Sequence, residues 1–139
     1  MPAAKTWALD TSALFCLKEN EPGADAVERI LREGGPHGHV FISFISLMEY
    51  YYILSQEEGE DAARHGYLEL KQLPLRVMDN DEELGITAAR IKATSRLSVA
   101  DAWVAATAKR LGAVLIHKDP EFEPLKGQIA LYPLPYKSR

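Results

Sequence analysis

The chain has 139 residues, which suits one compact domain with a buried core, and we expect residues 1–139 to form a single domain. Its 47% hydrophobic and 26% charged residues exclude a disordered or fibrous protein. A formal net charge of −4 gives no overall basic field that would attract nucleic acid, although it is compatible with a local basic rim around an acidic centre. Cys16 is the only cysteine, which excludes an intramolecular disulfide. No apolar run has the length of a secretory signal or a membrane span, and we therefore expect a cytoplasmic protein with no membrane contact.

Short apolar runs alternate with segments of helical periodicity along the chain. The predicted strands are residues 6–10, 39–43, 75–79 and 113–119, with 128–132 as a candidate edge strand and 133–139 as a tail. The predicted helices are TSALFCLK, capped by Thr11 or Ser12, then residues 21–35, 46–58, 61–73 and 81–97, and one that begins at Ser98. This alternation predicts an α/β fold with a mainly parallel sheet covered by helices on both faces. In such sheets, functional groups gather at the carboxyl ends of the strands.

Four acidic residues from separate segments are expected at that edge. Asp10 and Asp119 end the first strand and the strand over 113–119, while Glu49 and Asp101 fall in the first turns of two predicted helices. Asp101 lies in the apolar run SVADAWVAA. Burying an ionised carboxylate among such neighbours is costly unless a cation or hydrogen bonds meet it.

Each acid also has a purely structural explanation. The segments SLME at 46–49 and SVAD at 98–101 both match the capping box, in which an acid bonds back to the N–H of the capping residue. Asp10 and Asp119 each have the sequence context of an Asx turn. Capping does not require four separate segments to place an acid on one edge, so their joint placement favours a functional cluster.

A cluster of four carboxylates needs a counter-cation. Two like charges about 4 Å apart repel by roughly 4 kcal/mol at an effective dielectric near 20, so some of the acids protonate unless a cation binds. Because the ligands are oxygens, with no neighbouring cysteine or paired histidine, the sequence predicts Mg²⁺ or Mn²⁺ rather than Zn²⁺.

Three blocks of the sequence resemble the signature blocks of the PIN domain, in particular those of the VapC-type toxins of toxin–antitoxin pairs. They are LDTSAL, SLMEYYY and LSVADAWVAATAKRLGAVLIHKDPEF. The resemblance runs from about residue 6 to about residue 132. It implies a three-layer α/β/α sandwich and metal-dependent RNA cleavage that leaves a 5′-phosphate. On this resemblance, Asp10, Glu49, Asp101 and Asp119 take the four acidic positions, with Asp10 and Asp101 as direct metal ligands. It also implies a homodimer and a cognate antitoxin, and places DNA binding in the antitoxin rather than in this chain.

Three further residues border these positions. Ser12 stands where the family often has a small polar residue beside the first acid. His117 departs from the family, which frequently has Thr or Ser there, and either packs in the core or contacts metal-bound water or phosphate. Glu121, just before Phe122, takes a place where the family commonly has Asp.

Basic and aromatic residues are candidates for contacts with RNA and with the antitoxin. The candidate phosphate contacts are Arg90, Lys92, Arg96, Lys109, Arg110 and Lys118. Trp103 or a tyrosine of the YYY run is a candidate for base stacking, and Tyr50–Tyr52 and Phe15 are candidate antitoxin contacts. The alternatives are solvated helix faces for the basic residues and core packing for the aromatic ones.

Two other classes of function remain open from the sequence. A haloacid-dehalogenase-type phosphohydrolase also begins at a strand-end Asp, but it needs a second Asp two residues later, where this chain has Ser12. A catalytically silent module that binds RNA or protein keeps the same fold without the chemistry. Cleavage of RNA that EDTA abolishes would favour the nuclease, and phosphate release from a small phosphoester would favour the phosphohydrolase.

Overall fold

The computed structural model describes residues 5–137. Within them the strands are β1 Trp7–Leu9, β2 Val40–Ser43, β3 Arg76–Met78, β4 Val114–His117 and β5 Ala130–Pro133. The α-helices are α1 Thr11–Lys18, α2 Ala24–Gly34, α3 Phe44–Glu58, α4 Glu60–Gln72, α5 Glu82–Ala93 and α6 Val99–Leu111. Two short 3-10 helices cover Gly35–His37 and Pro120–Leu125.

The five strands form one parallel sheet in the order β3-β2-β1-β4-β5. β1 is central, with Trp7 paired to Val40 of β2 and to Val114 of β4. The candidate edge strand at 128–132 is confirmed as β5, which pairs with β4. Because β1 and β4 are parallel neighbours, the residues that follow these two strands emerge side by side at one edge.

Helices cover both faces of the sheet and enclose two apolar cores. Helices α1 to α4 pack on one face, where Leu9 and Ile116 point. Helices α5 and α6 and the segment Pro120–Leu125 cover the other face, where Ala8 and Leu115 point. Successive strand residues point to opposite faces, so each central strand supplies both cores. The structure therefore confirms the three-layer α/β/α sandwich.

Two helices begin earlier than their sequences predict. The cap of α1 is Asp10 rather than Thr11 or Ser12, because its carboxylate accepts the Ser12 N–H at 3.1 Å. Helix α3 begins at Phe44, directly after β2, and its cap is Ser43, whose hydroxyl accepts the Ile45 N–H. The structural alternative of a capping box at 46–49 is therefore wrong. Glu49 lies in the second turn of α3 and not the first.

Other helix boundaries also differ from the predictions for local reasons. The helix predicted over 21–35 starts at Ala24, because Gly23 adopts a left-handed conformation with φ of 105°. The helix predicted over 81–97 ends at Ala93. The hydroxyl of Ser95 donates to the carbonyl of Ile91 at 2.7 Å, and such side-chain bonds compete with continuation of the helix.

The segment predicted as a tail begins inside the fold. Pro133 belongs to β5, and the Leu134 N–H donates to the carbonyl of His117 at 2.7 Å. The Leu134 side chain is buried. The last two residues of the predicted tail lie outside the described residues. Within residues 5–137, no helix combines the length and the apolar character needed to cross a bilayer.

Candidate active site

Four elements bring the four predicted acids to one cavity of about 570 Å³. Asp10 follows β1 directly, and Asp119 lies two residues beyond β4. Asp101 is in the first turn of α6, which Ser98 caps by accepting the Asp101 N–H at 3.1 Å. Glu49 reaches the same cavity from the second turn of α3.

Asp10 is the most firmly held of these side chains. It is buried, and its Oδ2 accepts the Ser12 hydroxyl at 2.5 Å in addition to the Ser12 N–H. The Ser12 hydroxyl in turn accepts the Lys118 N–H at 2.9 Å, which ties Asp10 to the end of β4. The other oxygen, Oδ1, is buried without a hydrogen-bond partner in the described part of the chain. A buried carboxylate oxygen normally has a partner, so Oδ1 is available to a ligand in the cavity.

Glu49 is fixed by a hydroxyl from the neighbouring helix. The Thr11 hydroxyl donates to Glu49 Oε1 at 2.7 Å and lies 3.0 Å from the Ser46 hydroxyl. Thr11 and Ser46 are both buried, so this contact holds α1 against α3. Ser46, predicted as a helix cap, acts here as a support for the acidic site.

Burial raises the pKa values of three carboxyl groups, and repulsion by neighbouring acids adds to the shift in two of them, Asp10 and Asp101. Burial raises the pKa of Asp10 to about 6, against the lowering effect of its bonds to Ser12. Burial also raises the pKa of Asp101 to about 8, and the negative charges of Asp10, Glu49 and Asp119 add to this shift. Burial raises the pKa of Glu49, and the bond from Thr11 partly opposes it. The acids therefore hold at least one proton at neutral pH unless a cation replaces it.

The donor set fits a hard divalent cation. The lining acids offer only oxygen ligands, and Asp10 Oδ1 is buried and free to bind. Within residues 5–137, three carboxylates whose oxygens all lie within 4.8 Å of one another occur only at Glu19, Glu57 and Glu58, which are exposed, and Glu19 and Glu57 also line the outer part of this cavity. No three of the four predicted acids lie this close together. That spacing suits an ion that binds one or two carboxylates directly and keeps several waters, as Mg²⁺ does.

His117 and Glu121 lie beside the site rather than in it. His117 is fully buried, and its Nδ1 accepts the Asp119 N–H at 3.1 Å. Its ring packs against Phe122, with 5.1 Å between the ring centroids, and burial lowers its pKa, which favours the neutral ring. This is the packing alternative of the two that the sequence left open. The Glu121 N–H donates to Asp119 Oδ1 at 2.9 Å, while the Glu121 side chain is exposed.

The predicted basic residues are not gathered at the acidic cavity. Arg110 forms a two-bond ion pair with Asp81, at 2.5 and 2.8 Å, near the far end of α6. Arg110 lies nine positions beyond Asp101 in the helix, a rise of about 13.5 Å. Lys109 donates to Gln128, and Arg90 borders a surface depression with Lys109 and Arg110. Lys92 and Arg96, which were also predicted to contact phosphate, do not line the acidic cavity either. An RNA contact at these five residues stays a prediction.

Lys118 lies closer to the acids, and it has a partner that the sequence did not reveal. Its side chain is almost fully buried, and its ammonium group lies 3.2 Å from Glu21. Glu21 also binds Lys137, which lines the acidic cavity. Residues 21, 118 and 137 are far apart in the chain and match no local motif. No sequence signal indicated this group.

The aromatic candidates divide between core and surface. Tyr50 is buried and stacks on Phe15 with 4.7 Å between ring centroids, whereas Tyr52 is 43% exposed. Trp103 packs edge-on against Phe44 at 4.9 Å and does not line the acidic cavity. Core packing therefore accounts for Tyr50, and Tyr52 remains available for a partner.

Comparison with known proteins gives one family match and several solved structures of the same fold. The PIN domain model matches residues 8–127. DNA-bound VapBC from Salmonella typhimurium matches with a TM-score of 0.73 and 21% identity, covering 94% of this chain and 98% of that chain. VapBC2 from Rickettsia felis, bound to a fragment of promoter DNA, matches with a TM-score of 0.73 and 15% identity, covering 94% and 99%.

A third solved structure is VapC20 from Mycobacterium tuberculosis, described as a Sarcin-Ricin loop cleaving toxin. It matches with a TM-score of 0.69 and 21% identity, covering 92% of this chain and 100% of that chain. A comparison with curated protein sequences finds no match. At these identities the structures show a shared fold. The family model covers most of the chain, residues 8–127, and spans all four predicted acids, and the chain belongs to the PIN domain family.

Proposed function

We propose that this chain is an endoribonuclease that hydrolyses phosphodiester bonds of RNA with bound Mg²⁺ or Mn²⁺, and that it is the toxin of a toxin–antitoxin pair. The observation that carries this proposal is the meeting of four carboxylates in one cavity, with a buried oxygen of Asp10 left without a partner. Membership of the PIN domain family supports it. So does the toxin VapC20, whose structure this chain resembles.

Asp10 and Asp101 are the residues we assign to direct metal binding. Asp10 Oδ1 is buried and free, and the pKa of Asp101 is raised first by burial and then by the negative charges of neighbouring acids, which a divalent cation would neutralise. When bound, the metal supplies polarisation of the scissile phosphate, a lowered pKa for a bound water, and charge neutralisation at the leaving oxygen. Ser12 contributes by fixing the rotamer of Asp10.

Glu49 and Asp119 complete the site from the other two directions. Thr11 fixes the Glu49 carboxylate, and burial raises its pKa, which suits a group that orients the attacking water and takes its proton. Asp119 is oriented by the Glu121 N–H on one oxygen and by His117 on its own backbone N–H. We assign it to water-mediated metal binding.

The test is induced expression of the parent chain and of the Asp101→Asn variant, followed by inspection of total RNA. Asp25→Asn is a matched control, because Asp25 is exposed on α2 and does not line the cavity. The parent and the control should arrest growth and give discrete RNA fragments, and Asp101→Asn should give neither. Purified parent should lose cleavage in EDTA and regain it with Mg²⁺ or Mn²⁺.

Equal cleavage by Asp101→Asn and the parent would contradict the assignment of the site. Release of phosphate from a small phosphoester, without RNA cleavage, would point to the phosphohydrolase instead. RNA binding that is insensitive to EDTA and produces no fragments would point to the silent binding module.

The proposed partners are a cognate antitoxin and a second copy of this chain, in the cytoplasm where the RNA substrate lies. Exposed apolar side chains on α3, Met48 at 54% and Tyr52 at 43%, supply surface for such contacts. Co-expression with a small reading frame immediately upstream should suppress the growth arrest and give a stable complex. DNA should bind to that complex and not to this chain alone, and light scattering of the purified chain should give twice the monomer mass.

A further inference from the structure

A second cavity of about 460 Å³ adjoins the acidic cavity and shares much of its wall. The residues that border both cavities are Ser12, Phe15, Glu21, Asp119 and Lys137. The second cavity, which we call the side groove, is also lined by Lys118, Pro120 and Tyr136. The two cavities therefore form one continuous depression, which is acidic at one end and carries lysines and apolar side chains at the other.

One carboxylate in the side groove holds two lysines of different character. Glu21 Oε1 lies 3.2 Å from the Lys118 ammonium, whose side chain is only 4% exposed. Glu21 Oε2 lies 2.8 Å from the Lys137 ammonium, whose side chain is 74% exposed. Lys118 is enclosed by the protein, whereas Lys137 uses one of its three N–H donors on Glu21 and has the others open to a ligand.

The backbone that carries Lys137 is anchored on both sides of the groove. Leu134 is buried and bonds through its N–H to the carbonyl of His117, and the Tyr136 hydroxyl donates to Glu123 at 2.9 Å. These contacts fix the segment across the ends of β4 and β5. Lys137 is therefore a positioned cation, restrained by Glu21, rather than the end of a free tail.

The charges that line the acidic cavity favour one position, beside Lys137, for a second phosphate of the RNA strand. Among the described residues that line this cavity, seven are acidic and Lys137 is the only base. A bound metal neutralises the scissile phosphate, but the neighbouring phosphates of the same strand would face uncompensated carboxylates. Lys137 is the cation in reach of one of them. Phe15, Pro120 and Tyr136 offer apolar surface of the kind on which unstacked bases and riboses pack.

We propose that the side groove binds the nucleotide next to the scissile linkage, with Lys137 contacting its phosphate and Tyr136 packing against its base or ribose. This inference rests on the proposed ribonuclease function and adds a substrate-positioning subsite to it. Glu21 holds Lys137 in place before RNA arrives. The subsite recognises the RNA backbone and an unpaired nucleotide, and it therefore favours single-stranded RNA over duplex RNA.

The test measures RNA binding in the Asp101→Asn background, where the substrate stays intact. The probe is a fluorescent single-stranded RNA that spans a site cleaved by the parent. Lys137→Ala is compared with Lys137→Arg and with Lys71→Ala, an exposed lysine of α4 that lines neither cavity. Lys137→Ala should weaken binding several-fold and reduce the slope of log affinity against log salt by about 0.7, the value for one phosphate contact on a single strand.

The other variants sharpen the assignment. Lys137→Arg should retain most of the affinity, Lys71→Ala all of it, and Tyr136→Ala should lose about tenfold while Tyr136→Phe loses little. In the cleaving protein, Lys137→Ala should raise KM more than it lowers kcat. Because Lys137 is largely exposed, the unfolding curves of its variants should overlay that of the parent.

Unchanged affinity and salt slope in Lys137→Ala would overturn the subsite. An equal loss in Lys71→Ala would also overturn it, because the effect would then be general electrostatic attraction. In both cases, continued cleavage by the parent and not by Asp101→Asn leaves the ribonuclease function intact. If the parent cleaves no RNA with Mg²⁺ or Mn²⁺ present, the ribonuclease function and the subsite both fail.

Discussion

Replacing Asp101 by asparagine should stabilise the metal-free protein at pH 8 even though it abolishes the proposed activity. The pKa of Asp101 is about 8 in the folded chain, against 3.8 for an ordinary aspartate. The folded state therefore binds a proton that the unfolded state has lost between about pH 4 and pH 8. Stability falls as the pH rises through this window.

The magnitude follows from the difference between these two pKa values. At 1.36 kcal/mol per pH unit, the interval from 3.8 to about 8 sets an upper bound of about 6 kcal/mol. Asp101 opens onto a cavity that water can enter, so an effective dielectric near 20 reduces the expected loss to on the order of 2 kcal/mol. Asparagine has nearly the same shape and cannot ionise, so it removes this loss.

Urea unfolding at pH 5 and pH 8, in EDTA and in Mg²⁺, measures the effect. In EDTA, the variant and the parent should unfold at similar urea concentrations at pH 5. At pH 8 the variant should be the more stable by about 2 kcal/mol, a midpoint shift of roughly 1 M urea. Mg²⁺ at ten times its Kd should add about 1.4 kcal/mol to the parent and clearly less to the variant. A variant that is less stable than the parent at pH 8, or equal Mg²⁺ stabilisation of both, would refute the reasoning.

Three further predictions concern single contacts. Ser12→Ala should lower kcat about tenfold and raise the Mg²⁺ concentration needed for activity, because the Ser12 hydroxyl orients Asp10. Ser12→Thr keeps a hydroxyl and should leave both quantities unchanged, as steady-state cleavage assays would measure. Gly35→Ala should cost about 1–3 kcal/mol in urea unfolding, because its Cβ would overlap the carbonyl oxygen of Pro74, whereas Gly127→Ala meets open space and should be neutral. Arg110→Ala should leave the kcat of RNA cleavage unchanged, because Arg110 is paired with Asp81 near the far end of α6 from Asp101. A tenfold loss of kcat would contradict this, whereas a rise in KM alone would support the predicted RNA contact at Arg110.

The acidic site could be predicted because its members are local to their own segments. Asp10 follows β1 directly, Asp119 follows β4, and Asp101 is in the first turn of α6. Parallel pairing then fixes where those segments end. Glu49 was also predicted at this site, but it was placed in the first turn of its helix, which is wrong. Its helix starts directly at the end of β2, so the cap is Ser43, and Glu49 reaches the cavity from one turn further along.

The basic residues could not be predicted in the same way. A lysine or arginine on an amphipathic helix faces solvent in many orientations, and for α5, which carries Arg90 and Lys92, the sequence does not say which end of the helix lies near the acids. Lys118 illustrates the opposite case, because it looks like a free cation in sequence but is buried against Glu21. Lys137 joins the cavity only because Leu134 docks on β4, which is a tertiary contact with no local signature.

Structural capping and metal binding are compatible uses of the same carboxylates in this fold. Asp10, which lines the cavity, caps α1 through Oδ2 and leaves its buried Oδ1 without a partner, and Asp119 uses Oδ1 for the Glu121 N–H. A cap bond fixes the orientation of the carboxylate. The remaining oxygen can then bind a metal ion without a further loss of side-chain entropy. The tight passage from strand to helix that makes Asp10 a cap is therefore also what makes it a preorganised ligand. The capping pattern in the sequence and the acidic pattern are two consequences of one backbone geometry.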